Sequence, residues 1–469
     1  MTEQGARLAV PRTDAPVGVA RRDITPPTGI RAKNWGPADW ERSEGAHRPF
    51  TATALAVGAE DPLVLVAVDG TWWRRVDDER AVRDRVLREL DLPEERLIVA
   101  LSHTHAGAVL CSADAGLPGG DLIPGYLEAL ADGIAAAARD AVTAAVPGHI
   151  DWTTGRCALA ANRELDLEGR ALVGYNPEAP AADDTVVIGR ITDAAGRPVG
   201  TIVNYACHPT TLAWQNRLVS PDYVGALREL VERETGAPVL FLQGASGELA
   251  PRAQYTGDLE VADRHGRALG HAVLAALALL PTPANELELS GVVESGAPLG
   301  MWTETAQARS TGIAATTTEV ELDLNDLPTI AELEARWADI DPRSREERLG
   351  RARNLRDGYI DGPTVQHPLW AWRLGDALLV GHPGEAYSTF QTGVRESAGE
   401  HPVLVLNLAN GPGFVYLPTA EAYRRGAYQA WQTPLAPGSL ERLTDAAAQA
   451  LHAVAGSAAV DRLAVGGAR

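Results

Sequence analysis

Four stretches of this chain run an apolar segment straight into a short polar element: LIVALSHTH (97–105), TIVNYACHPTT (201–211), ALLVGHPGE (377–385) and VLVLNLANGPGFVY (403–416). Short apolar runs bounded by polar and Gly/Pro signals read as buried strands. Helical periodicity fills the segments between them. Residues 77–90 form a charged helix with Val82, Val86, Leu87 and Leu90 on one side, and 125–146 repeats apolar residues at helical spacing until Pro147 and Gly148 stop it. Strands that alternate with helices favour an α/β fold with a mixed central sheet and flanking helices.

TATALAV and PLVLVAV, separated by GAED, predict a hairpin. Order is expected to begin at Val17, after a flexible N-terminal arm over 1–16, and a single strand is expected over 371–381. Residues 17–469 read as one large domain. Within it, 285–368 is the segment expected to form a subdomain or insertion, because charge density rises between Glu332 and Arg356.

With 42 basic against 62 acidic residues, the net charge of −20 opposes binding to nucleic acid or to anionic lipid surfaces. Neither partner is expected. Three cysteines, Cys111, Cys157 and Cys207, suit a reducing compartment better than a disulfide framework. No basic and apolar leader or membrane-length apolar window stands out, so the chain reads as cytoplasmic. The oligomeric state is not legible.

Groups at the carboxyl ends of neighbouring strands converge in the crevice where α/β active sites form. His103, His208 and Glu385 there would supply two nitrogens and one oxygen to a zinc ion, leaving a position for a water activated near neutral pH. If the strand continues past Leu101, His103 and His105 share a face, and His105 reaches the substrate or its developing oxyanion. The same residues also read as a surface pair and a satisfied core histidine, and composition leaves both readings open. Ser246 in LQGASGELAPR is the rival nucleophile, but Glu248 replaces the last glycine of a nucleophile elbow. A glycine turn offering backbone amides to metal or substrate is the stronger reading of that stretch. Trp35, Trp40, Trp72 and Trp73 are aromatic residues placed to line a pocket or to pack in the core.

From GVARRDITPP through SHTHAG, NYACHPTT, SPDYVG, FLQGASGELAPR and HPGEAY to GFVYLPTAEAYRRGAYQA, the sequence resembles the catalytic domain of the neutral, non-lysosomal ceramidase family. That resemblance implies one zinc ion held by His103, His208, Glu385 and Tyr416, with His105 and Tyr428 as further active-site residues. Two departures matter. Ala250 stands where the family carries a serine, which favours a metal-activated water. The signal peptide and immunoglobulin-like domain of secreted members are also not expected here. The expected activity is therefore zinc-dependent hydrolysis of an amide bond in a small soluble substrate, without stable membrane association. The alternatives are a biosynthetic enzyme of secondary metabolism that forms or rearranges a bond at the same site, and a non-catalytic metal- or ligand-binding homologue.

Overall fold

The computed structural model describes residues 6–360, 362–412 and 415–456. All four apolar runs are strands: Leu97–Leu101, Pro198–Tyr205, Ala377–Gly381 and Val403–Leu406. Three of them are buried along their whole length, and Pro198–Tyr205 over its last six residues. An eight-stranded sheet runs in the order Val239–Gln243, Pro198–Tyr205, Thr185–Asp193, Val146–Arg156, Arg12–Asp23, Thr51–Val57, Leu63–Val68, Leu97–Leu101. Its interior pairings are antiparallel, whereas the pairing at each edge is parallel. A smaller sheet of Ile313–Asp323, Thr364–Leu374, Ala377–Gly381 and Val403–Leu406 also ends in a parallel pair. The architecture is mixed α/β, as the alternation of strands and helices predicts.

A parallel pair cannot be closed by a tight turn and needs a crossover, usually a helix. Val76–Leu90, Tyr223–Thr235 and Ser388–Ser397 supply the three crossovers here. Each of the four polar segments leaves the carboxyl end of a strand in one of these units. The inner faces of both sheets share one apolar cluster that includes Leu65, Ile98, Trp152, Leu242, Trp372 and Leu406. The helices cover the outer faces.

Two asparagines lock the smaller sheet across both edges of the larger one. Asn204 donates to the carbonyls of Leu242 and Val405 at 3.0 and 2.9 Å and accepts the Val405 amide at 3.1 Å. Asn410 donates to the Leu97 carbonyl at 2.7 Å and accepts the Val99 amide at 2.8 Å. Each side-chain amide completes a strand edge that would otherwise bury unpaired backbone groups.

Several boundaries differ from the expectation. The first long strand starts at Arg12, ahead of Val17, because Arg12 and Asp14 form a buried ion pair and Trp152 Nε1 donates to Thr13. The helix expected over 125–146 is Ile123–Thr143, and Pro147 and Gly148 lie inside the strand that follows. The strand expected over 371–381 is a hairpin that turns at Gly375, whose φ is +61° and whose added Cβ would lie 2.3 Å from the Arg12 carbonyl oxygen. The segment 285–368 contributes a solvent-facing hairpin, Asn285–Glu294 with Pro298–Ala306, and the helices Ile330–Arg336 and Pro342–Leu355. Among the described residues, no helix is long and apolar enough to cross a membrane.

Asn410→Ala removes both bonds and leaves two buried backbone groups unpaired, so urea unfolding is expected to show a loss of about 3 kcal/mol. His265 is buried beside Thr211 Oγ1, and burial, with Arg264 nearby, lowers its pKa to about 4. An unfolded histidine titrates near ~6.5. Protons are therefore taken up on unfolding below that pH, and His265 contributes stability that is lost as pH falls from about 6.5 toward about 4. Thermal melts of His265→Asn should show a shallower acid limb than the parent over that window.

Candidate metal centre

The strand Leu97–Leu101 ends before the histidine pair, so strand alternation does not align the rings as expected. The chain turns instead: His103 adopts φ +66°, a left-handed conformation, and its Nδ1 lies 3.1 Å from the Thr71 carbonyl oxygen. His208 follows Pro198–Tyr205 and places Nδ1 2.6 Å from the Ser246 carbonyl oxygen. A carbonyl oxygen only accepts, which assigns the proton of each ring to Nδ1 and leaves a lone pair on each Nε2. The two Nε2 atoms face each other at 3.0 Å.

Glu385 follows the strand Ala377–Gly381, and its backbone pairs in parallel with Tyr416. Its Oε2 sits 3.0 Å from His208 Nε2 and 3.2 Å from His103 Nε2. Three buried electron-pair donors thus converge, with no proton assigned between the imidazoles. Tetrahedral zinc with nitrogen and oxygen ligands separates its donors by ~3.3 Å, so this donor set fits a small divalent cation. Burial first, then the Arg163 charge, lowers the His208 pKa to about 3.

His105 Nε2 lies 3.4 Å from His103 Nε2, and His103, His105 and His208 place ring nitrogens within 4.8 Å of one another. Burial, with His103 and His208 beside it, pushes the His105 pKa well below the ordinary value. Trp72 and Trp35 flank its ring at centroid distances of 4.9 and 5.3 Å.

Tyr416 stacks over His208 at 6.5 Å between centroids, and burial raises its pKa well above that of a free phenol. Tyr428 stands farther out, edge-on to Tyr416 at 6.0 Å and to Trp431 at 5.2 Å. Of the motif GFVY, Gly413 and Phe414 lie outside the described residues. Ser246 is 1% exposed and accepts from Gln243 Nε2 at 2.7 Å. Its hydroxyl meets His208 only at Nδ1, the ring edge away from the cluster, which suits positioning and not nucleophilic attack. The glycine turn beside it presents a carbonyl, not amides: Gly247 accepts from Arg163 and Gln429 at 2.9 and 3.0 Å.

Arg163 is the residue that sequence reasoning missed. It follows the short strand Ala160–Asn162 and is 3% exposed. Its Nη2 lies 3.1 Å from His208 Nε2 and 3.2 Å from the Tyr416 hydroxyl. Burial disfavours its charge, yet Tyr416, Tyr255 and Glu385 more than offset that cost and keep it protonated. No local spacing marks Arg163, because its neighbours at the site come from segments remote in sequence.

No family model matches the chain. It is 26% identical to the neutral ceramidase of Pseudomonas aeruginosa over an alignment covering 73% of this chain and 57% of that protein. The chain thus spans less than two thirds of that relative. A structure described as ceramidase complexed with C2 superposes with a TM-score of 0.66 at 16% identity, covering 94% of this chain and 74% of the other. The crystal structure of neutral ceramidase from Pseudomonas aeruginosa gives the same TM-score at 18% identity, covering 96% and 75%. The chain is thus similar in sequence to a neutral ceramidase and shares the fold of the ceramidase structures.

Proposed function

We propose that this chain is a zinc-dependent hydrolase that cleaves an amide bond of a small soluble substrate. The observation that carries this reading is the trio of buried donors, His103 Nε2, His208 Nε2 and Glu385 Oε2, within 3.2 Å of one another. Facing lone pairs repel unless a cation lies among them, and metal-ligating histidines characteristically donate their second ring N–H to a carbonyl, as these two do. His103, His208 and Glu385 would hold the ion, with Tyr416 as the fourth protein group. When bound, zinc supplies Lewis acidity toward a carbonyl oxygen and activates water near neutral pH.

The surrounding residues account for the remaining steps. His105, whose Nε2 lies 3.4 Å from His103 Nε2, is placed to stabilise the oxyanion or to protonate the leaving amine. Trp35 and Trp72 hold its ring in place. Arg163 donates to the Tyr416 hydroxyl and adds positive charge where an oxyanion would develop. Tyr428 is assigned to the same oxyanion or to the leaving group. The buried, unpaired Cys111, Cys157 and Cys207 support a reducing, cytoplasmic setting.

Metal analysis of the purified chain should return one zinc per molecule, and His208→Ala or Glu385→Ala should lose it. An active preparation free of stoichiometric metal defeats the reading. Hydrolysis of N-acyl amides in ¹⁸O-water should place the label in the released carboxylate. His105→Ala should keep its zinc while kcat falls on the order of 10²-fold. Product without label would favour bond rearrangement over hydrolysis.

A further inference from the structure

Beside the histidines lies a cavity of about 180 Å³, walled by residues of the 31–35 loop, by Trp72 and Arg74, and by the helix Pro342–Leu355. The loop is seated on that helix at Gly36, where a Cβ would stand 2.9 Å from Glu347 Oε2. Trp35 and Trp72 belong both to this cavity and to the wall around His105, so the space adjoins the proposed reaction centre. It is smaller than the ~300–1,000 Å³ of sites that enclose drug-sized ligands, which suits a short polar group better than a lipid chain.

Its charge runs against that of the chain. Six basic side chains line it against three acidic ones, in a protein of net charge −20, and Lys33, the only lysine in the sequence, is one of the six. Arg31 and Lys33 share Glu41, and Arg31 and Arg74 share Asp114, each at 3.5 Å. Arg351 bonds to neutral groups, Gln432 Oε1 and the Tyr428 side chain. Arg353 pairs with Glu334 at 2.9 Å, so with Glu41 and Glu334 included the six bases face five carboxylates and the balance stays positive by one charge. A basic lining in which neighbouring cations share their carboxylates is the complement of an oxyanion.

We propose that this cavity binds an oxyanion, a carboxylate or a phosphate, carried by the amide substrate close to its scissile bond. Arg74 and Arg351 are the donors, and Lys33 adds charge. Burial lowers the Arg74 pKa more than Asp114 raises it, and a bound anion would remove that imbalance. The assignment rests on the amide-hydrolase reading above for the identity of the ligand, not for the existence of the site.

Titration calorimetry on the zinc-loaded full chain, with N-hexanoylglycine and the uncharged N-hexanoylglycinamide, tests it whether or not either is cleaved. Amine release is measured separately. The carboxylate is expected to bind at least ~10-fold more tightly than the neutral amide. Arg74→Gln should abolish that preference, Arg74→Lys should retain part of it, and affinity for the neutral amide should not change. Competition by acetate or by inorganic phosphate distinguishes the two oxyanions. Equal affinity for the two amides, or a preference that survives both Arg74→Gln and Lys33→Gln, overturns the cavity assignment even if both amides are hydrolysed. Arg74-dependent binding without cleavage leaves the cavity standing and defeats the hydrolase.

Discussion

The closure of strand edges by asparagine side chains is the constraint on which the site depends. Asn204 and Asn410 act as surrogate backbone, and the Asn407 amide donates to the Gln243 carbonyl at 3.0 Å, so the segment 403–410 spans both rims of the large sheet. Three crossover units, remote in sequence, are thereby brought together at their carboxyl ends. Leu408 and Asn410 adopt positive φ to make the span. For Asn that conformation is common, and for Leu it is a distortion that only well-defined surroundings sustain.

That closure confines three electron-pair donors to a space of about one ion. The packing does not relieve their repulsion with a proton, because the two Nδ1 atoms are already committed to carbonyls. Arg163 offers partial compensation and links His208, the Gly247 carbonyl and Tyr416 through a single nitrogen. An arginine so close to the donor set also limits how the Tyr416 side chain can move. Its charge and the Tyr416 hydroxyl belong to one electrostatic unit.

Much of this was legible in the sequence, for a physical reason. Strands buried along their length must be apolar throughout, so LIVAL and VLVL declare themselves, and a polar residue that ends such a run needs a purpose. His103, His208 and Glu385 could be picked out on that ground. What escaped was whatever depends on conformation or on distant partners. The left-handed turn at His103 hides behind an unremarkable SHTH, and the hairpin at Gly375 behind a segment apolar enough to pass for one strand. Arg163 follows a three-residue strand whose pairing partner lies about ninety residues away. Trp35 and Trp72 stood out as aromatics, but only the fold brings them against His105.

The helix Pro342–Leu355 and the loop seated on it at Gly36 supply none of the converging donors, yet they wall the space beside them. In the proposed reading, reactivity and selectivity are therefore written in separate stretches of polypeptide. On that reading, substitutions along the charged face of that helix alter which molecules are admitted while the imidazoles stay where the sheets put them, so the scaffold is open to retargeting without being rebuilt.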